Sequence, residues 1–273
     1  MYEIKPDQSV ELLKELHILT RDGKMNQDSR RKLKQIYHLY QFIEPLLQEV
    51  LDGDSGITLV DHGAGKSYLG FILYDLFFKK LQGASRIFGI ETREELVSKS
   101  RDLAERLKFP DMEFLNLSVS DSIVSAQLPE KVDVVTALHA CNTATDDAIR
   151  FALAKQAKFV VLVPCCQAEV AAALKKNKGK LLSENVLTEL WRHPIHTREF
   201  GSHLTNVLRC LQLEAHGYQV TVTELVGWEH SMKNELIVAT NKNLPNKRAA
   251  ARLREMLKLT GLGELEERFF TPG

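Results

Sequence analysis

From Leu33 onward, apolar side chains return at Ile36, Tyr37, Tyr40, Ile43, Leu47 and Val50, the spacing of one helical face. Residues 1–51 are therefore expected to be helical, with Pro45 kinking or interrupting the run. Beyond residue 56 the pattern changes. Short continuous apolar runs at 57–61, 86–90, 112–117, 132–138 and 158–164 alternate with amphipathic stretches at 67–81, 93–107 and from about 145. A turn is expected at Phe109-Pro110-Asp111. Near-continuous apolar strands separated by helices predict a parallel sheet covered on both faces. A polar stretch of helix and loop (167–216) leads to two consecutive β-rich runs, 218–226 and 234–240, and a tail helix follows at 246–260. The consecutive pair reads as a terminal hairpin that adds an antiparallel strand. The predicted fold class is α/β: a Rossmann-like, seven-stranded, mostly parallel, doubly wound sheet with a helical N-terminal extension. The expected division is an extension at 1–51, a catalytic domain at 52–242, and a C-terminal helix and tail at 243–273.

Composition narrows this picture only a little. The 273 residues are 44% hydrophobic, enough for a substantial core, and their formal net charge is zero. No protein-wide field therefore draws in a polyanion. The longest apolar stretch, YLGFILYDLFF, is broken by Asp75 and is too short to span a bilayer. The first residues lack the basic-then-apolar order of a secretory signal. Cys141, Cys165, Cys166 and Cys210 form no C-x-x-C pair. These features suggest a cytoplasmic protein with free thiols, with no membrane or metal called for and a monomer favoured.

The chemistry concentrates at ITLVDHGAGK, residues 57–66, followed by the amphipathic SYLGFILYDLFFKK. An apolar strand, an acid, a glycine turn and a helix bring backbone N–H groups and a helix N-terminus against a ligand. A phosphate-binding Walker loop would need glycine at 60, where Val60 stands, and a dinucleotide fingerprint would need glycine at 68, where Tyr68 stands. A D-x-G-x-G turn, complete here as Asp61, Gly63 and Gly65, is instead the mark of the S-adenosylmethionine (SAM) site in class I methyltransferases. Its logic is physical. SAM carries no phosphate, and its zwitterionic amino-acid end must be held by backbone groups that approach closely. An ordinary strand-to-helix turn is the plainer explanation.

A second strand-end acid sharpens the reading. RIFGIE closes on Glu91, thirty positions after Asp61, where a carboxylate can accept both ribose hydroxyls of an adenosyl ligand. Thr92, Glu94 and Glu95 also make this a helix-start signal, and the two readings are compatible. After the third strand, Ser120 and Asp121 stand where this fold class often touches the adenine amino group, or they form a simple turn.

The fourth strand leads into LHACNTATDD (138–147) and the fifth into VPCCQ (163–167), so both should open on the edge that carries Asp61 and Glu91. Together, G-A-G-K-S-Y-L, H-A-C-x-x-x-T-D and this P-C-C resemble a methyltransferase family. Its eukaryotic members include the methyltransferase-like domain of the glutathione-S-transferase C-terminal-domain-containing protein. More distantly, the chain is similar to tRNA ribose O-methyltransferases with a cysteine pair after the same strand. The resemblance spans roughly residues 30–240, with Asn142 where the family usually has glycine. It implies a SAM-dependent methyltransferase, with S-adenosylhomocysteine (SAH) as product. By this resemblance Asp61, Gly63, Gly65 and Lys66 hold the cofactor. His139, Cys141 and Asp146 then fall on the loop facing the transferred methyl group.

The catalytic candidates are His139, Asp146, Cys165 and Cys166, and His139 is also a cofactor contact. His139 suits a general base, or it simply bonds its strand end. Asp146 and Asp147 are either functional or helix-start acids. The cysteines suit small buried hydrophobes, a zinc site or a covalent nucleophile, though neither a standard zinc spacing nor the expected nucleophile motif is present. Direct displacement at the sulfonium methyl needs in-line alignment above all. Three basic clusters make RNA (tRNA or rRNA) the expected acceptor: Arg21, Lys24, Arg30, Arg31, Lys32 and Lys34; Lys175, Lys176, Lys178 and Lys180; Lys247, Arg248, Arg252 and Arg254. Arg192, His193, His196 and Arg198 add to them. Such runs are often only solvated surface. The alternatives are a protein or small-molecule acceptor, or a SAM- or nucleotide-binding module without catalysis.

Overall fold

The computed structural model describes residues 4–53, 56–81, 84–138, 143–164, 168–181, 186–225 and 235–270, the side chains of 178, 180 and 181 excepted. In chain order the helices and strands are α1 (Val10–Glu15), α2 (Gln27–Leu51), β1 (Thr58–His62), α3 (Tyr68–Leu76), β2 (Arg86–Glu91), α4 (Glu94–Leu107), β3 (Met112–Asn116), α5 (Val119–Val124), β4 (Val134–Leu138), α6 (Thr143–Ala154), β5 (Phe159–Val163), α7 (Glu169–Leu181), α8 (Pro194–Ala215), β6 (Tyr218–Glu224), β7 (Glu235–Asn241), α9 (Lys247–Leu259) and α10 (Glu266–Phe269).

The seven strands form one sheet in the order β3-β2-β1-β4-β5-β7-β6. β1 to β5 pair in parallel, while β7 runs antiparallel between β5 and β6. The expected terminal hairpin is present, and its second strand is the one inserted next to β5. The chain winds outward from β1 to β3 and then returns to the other side of β1 at β4. That reversal opens a crevice at the carboxyl ends of β1 and β4, the place where open α/β sheets bind ligands.

Alternation along β1 divides the interior into two cores. Leu59 faces a cluster built with α2, α3 and α4, and Val60 faces one built with α6. Both residues are fully buried, as a parallel strand covered on two sides requires. Each such side chain contributes about 1.5–3 kcal/mol. A third cluster joins α7, α8 and α9, with Trp191, Leu204, Leu208 and Leu253 inside it. There α8 approaches α7 so closely that a Cβ on Gly201 would lie 2.7 Å from Ala171. Only glycine permits that crossing.

The N-terminal helices share the first of these cores with the sheet. The carboxylate of Asp75 on α3, buried, accepts the Ser9 N–H at 3.0 and 3.2 Å at the start of α1, and the Lys79 ammonium at 2.7 Å. The acid that breaks the apolar run of α3 therefore ties the extension down. The expected interruption at Pro45 does not occur, because α2 runs unbroken over 25 residues. Ile43 and Leu47 on either side of it are fully buried, and this packing offsets the missing N–H. Among the described residues, no helix is long and apolar enough to cross a membrane.

Candidate functional site

The glycine turn is built between the ends of β1 and β2. Gly63 and Gly65 both adopt positive φ, at 67° and 58°. Ser67 does so as well, at 50°, which costs a residue with a Cβ. The surrounding bonds hold this geometry in place. The Ala64 N–H donates to the Ile90 carbonyl at 2.9 Å and the Ser67 N–H to the Ala64 carbonyl at 2.7 Å. The Ser67 hydroxyl donates to the Asp61 carboxylate at 3.1 Å, and the Thr136 hydroxyl of β4 does so at 2.9 Å. Burial pushes the Asp61 carboxyl up to about 6, opposed by the Thr136 and Ser67 hydroxyls and the Gly70 N–H.

On the other side of the strand, His62 is buried against the Phe151 ring at 5.3 Å. Among the described residues, neither of its ring nitrogens has a hydrogen-bond partner. Burial lowers its pKa to about 4, with Arg150 adding to the effect and Glu91 opposing it.

The two neighbours have opposite pH dependences. Asp61 holds its proton more tightly folded than unfolded, so stability falls as pH rises from about 3.8 to 6. His62 holds its proton less tightly folded, so stability rises from about pH 4 to 6.5. Each effect is on the order of 3 kcal/mol, and together they largely cancel. Replacing His62 with Phe should therefore expose a loss of stability between pH 4 and 6. Urea midpoints at the two ends of that range would show it, and equal midpoints would refute the assignment.

Glu91 ends β2 beneath the glycine turn and is 8% exposed. One carboxylate oxygen accepts the Gly65 N–H at 2.9 Å. The Arg93 side chain reaches back to both oxygens, at 3.1 and 3.2 Å. Burial alone would raise the Glu91 pKa, but the bonds from Arg93 and Gly65 override it and hold the group below its ordinary value.

Above the turn lies a cleft of about 550 Å³, within the usual range for small-molecule sites. Asp61, Gly63, Gly65 and Lys66 line its floor, and Arg93 lines it as well. Its far wall is the N-terminal extension. Lys32, Gln35, Ile36 and Leu39 present one face of α2, with Leu16 and Ile18 beside them. Leu138 and Val163 close it at the ends of β4 and β5.

The structure separates other candidates from this cleft. Asp146 was expected beside the methyl position, but it lines a second recess with Asp147, Arg150 and Glu169. Its carboxylate takes the Arg209 guanidinium in a two-pronged pair at 2.7 and 3.0 Å, with Arg209 1% exposed. The helix register of α6 turns it inward toward α8. Ser120 and Asp121 lie exposed in the first turn of α5, where the Ser118 hydroxyl donates to Asp121, and neither lines the cleft; Glu91 does not line it either, but its partners Gly65 and Arg93 do. His139, Cys141, Cys165 and Cys166 lie outside the described residues. Among the described residues, no group of three or more His, Cys, Asp or Glu is placed to hold a metal ion.

Sequence reasoning missed Thr136, Arg93 and the α2 wall. Thr136 sits inside an apolar strand, and a polar residue at such a position was the available signal. For α2, Leu39 widens the apolar stripe on the side of Val50, and a broad stripe signals a helix packed on more than one side.

A family model described as a methyltransferase domain matches residues 31–173, from the second turn of α2 to α7. A glutathione S-transferase C-terminal domain-containing protein of Bos taurus is 24% identical over 235 residues, covering 80% of this chain and 34% of that protein. The chain thus spans about a third of that relative's length. Among solved structures, magnesium protoporphyrin IX methyltransferase from Synechocystis PCC 6803, with bound SAH, aligns over 86% of this chain and 96% of its own, with 16% identity and a TM-score of 0.46. An rRNA methylase from Streptococcus thermophilus aligns over 73% and 94%, with 10% identity and a TM-score of 0.42.

Proposed function

The chain belongs to the methyltransferase-domain family, and on that premise we propose that it moves a methyl group from SAM to an RNA acceptor, tRNA or rRNA. SAM is the methyl donor; once bound, its sulfonium supplies an electrophilic methyl carbon. The glycine turn fits that ligand. Gly65 has open space where a Cβ would sit, meeting only Arg93 at 3.9 Å, so a ligand can lie directly on the backbone. Asp61 lies at the floor with its carboxyl raised to about 6, and a docked ammonium would lower it toward the ordinary carboxylate range. Glu91 takes the ribose diol. These groups hold the donor, and the α2 wall positions the acceptor in line with it.

The single observation that favours RNA is the convergence of Lys32, Lys66 and Arg93 on one cleft whose other charged lining, among the described residues, is Asp61. Arg30 and Arg31 continue this basic character along the exposed side of α2. Lys32 also pairs with Asp28, and Arg93 with Glu91; the remaining clusters support the reading less because their described side chains do not line this cleft. Lys176 pairs with Glu264, Arg252 with Glu214, and Arg254 with Glu266. One observation favours a small-molecule acceptor instead: the apolar wall of Leu16, Ile18, Ile36 and Leu39.

Binding of total tRNA and rRNA fragments separates the two readings. Three phosphate contacts predict roughly a 20–40-fold loss of affinity between about 50 and 200 mM salt. Replacing Arg30 and Arg31 with Glu should weaken binding at low salt, and labelled SAM should pass its methyl to the RNA. Binding that is absent at low salt, or indifferent to these charges, would leave the small-molecule acceptor.

A further inference from the structure

Glu91 is already fully occupied. Its two oxygens accept from five donors: the Gly65 N–H at 2.9 Å, the Arg93 N–H at 3.1 Å, Arg93 Nε at 3.1 Å, Arg93 Nη2 at 3.2 Å and the Thr92 hydroxyl at 3.3 Å. A carboxylate offers about four lone-pair sites. No capacity remains for two more hydroxyl donors. A ribose diol therefore cannot engage Glu91 while the guanidinium lies across it.

Of these donors only the side chains are free to leave, and the guanidinium carries two of the five bonds. The Gly65 and Arg93 N–H groups are fixed by the backbone, and the Thr92 hydroxyl can rotate away from its long contact. The Arg93 side chain is 62% exposed, and an ion pair that open to water is held weakly. With the Thr92 hydroxyl turned away, release of the guanidinium leaves two donors, and a diol brings the count to the roughly four sites a carboxylate offers. The released group has a destination. Arg93 lines the same cleft as Lys66 and Lys32, and its planar fork suits a phosphate better than either lysine does.

We propose that Arg93 is a displaceable latch on Glu91: the donor's ribose expels its guanidinium, which then takes a phosphate of the acceptor. Donor binding thereby precedes and strengthens acceptor binding. This rests on the reading of Glu91 as the ribose acceptor and of RNA as the substrate. It assigns Arg93 a role opposed to donor affinity, whereas a simple cofactor contact would contribute to it.

Calorimetric titration with SAH tests the first half. Arg93 makes no side-chain cap to α4 and is exposed, so Arg93→Ala should fold normally, and its thermal midpoint without ligand checks this. The variant should bind SAH several-fold more tightly than the wild type, and Arg93→Lys, which lacks the fork, should fall between them. Wild-type binding with an unchanged or weaker Arg93→Ala would overturn the latch alone. No SAH binding by the wild type would overturn the donor reading and the latch with it. Total tRNA tests the second half: saturating SAH should tighten its binding to the wild type and leave Arg93→Ala unaffected. Equal strengthening in both proteins would remove Arg93 from the acceptor site.

Discussion

Replacing Arg209 with alanine should cost the fold about 3–5 kcal/mol, the penalty for stranding one partner of a buried ion pair. Arg209 on α8 and Asp146 on α6 are 1% and 6% exposed, and they meet through two charge-assisted bonds. The same guanidinium donates to the Asn206 side chain at 3.2 Å, so its removal breaks that bond as well. Asp146→Ala should cost a similar amount, since it strands the guanidinium instead. A double replacement by apolar residues of similar volume should recover most of the loss, because two charges leave the interior together. Urea denaturation of the four proteins completes the cycle. Single variants within about 1 kcal/mol of the wild type would contradict the burial of this pair, that being the range of exposed ion pairs. The cycle also separates structure from chemistry at Asp146. A residue needed only to hold α6 against α8 should affect activity in proportion to the folded fraction.

The second large effect concerns the donor. Glu91→Ala should weaken SAH binding by about 1.5–3 kcal/mol, the range for hydrogen bonds to a charged group. In this variant Gly65 also loses the acceptor of its N–H, so the turn loosens where the ligand's backbone contacts lie. Glu91→Gln keeps one acceptor and should lose less. Titration calorimetry at constant salt measures both. Unchanged affinity in Glu91→Ala would sink the ribose assignment. Combining Glu91→Ala with Arg93→Ala adds a further check: with no carboxylate to cover, removing the guanidinium should no longer improve binding.

The elements were legible because their patterns are local. Apolar runs of strand length between amphipathic stretches dictate buried parallel strands, since no other arrangement covers both faces of such a run. The glycine turn was legible for a similar reason. Gly63 and Gly65 adopt positive φ in the structure, a conformation costly to other residues, so their spacing carries the geometry in the sequence itself. Acids at the ends of two apolar strands are likewise visible, because a charge there must face the sheet edge or find partners.

What stayed hidden depends on residues brought together across long stretches of chain. Asp146 and Arg209 are separated by 63 positions, and nothing local distinguishes an acid aimed at a cleft from one aimed at a partner. Thr136 meets Asp61 across 75 positions for the same reason. Pro45 looked like a kink or a break because propensity is local, whereas the burial of Ile43 and Leu47 that keeps α2 continuous through it is not. The saturation of Glu91 mixes both kinds of information. Arg93 and Thr92 are its sequence neighbours, but the Gly65 N–H that completes the set arrives only when β1 and β2 pair. By itself the sequence determined the order and type of the elements and the glycine turn, because backbone sterics and burial act over a few residues. Only the tertiary structure decided which charges are spent on one another and which side chains wall the cleft, because a side chain's partner is set by the packing of elements distant along the chain.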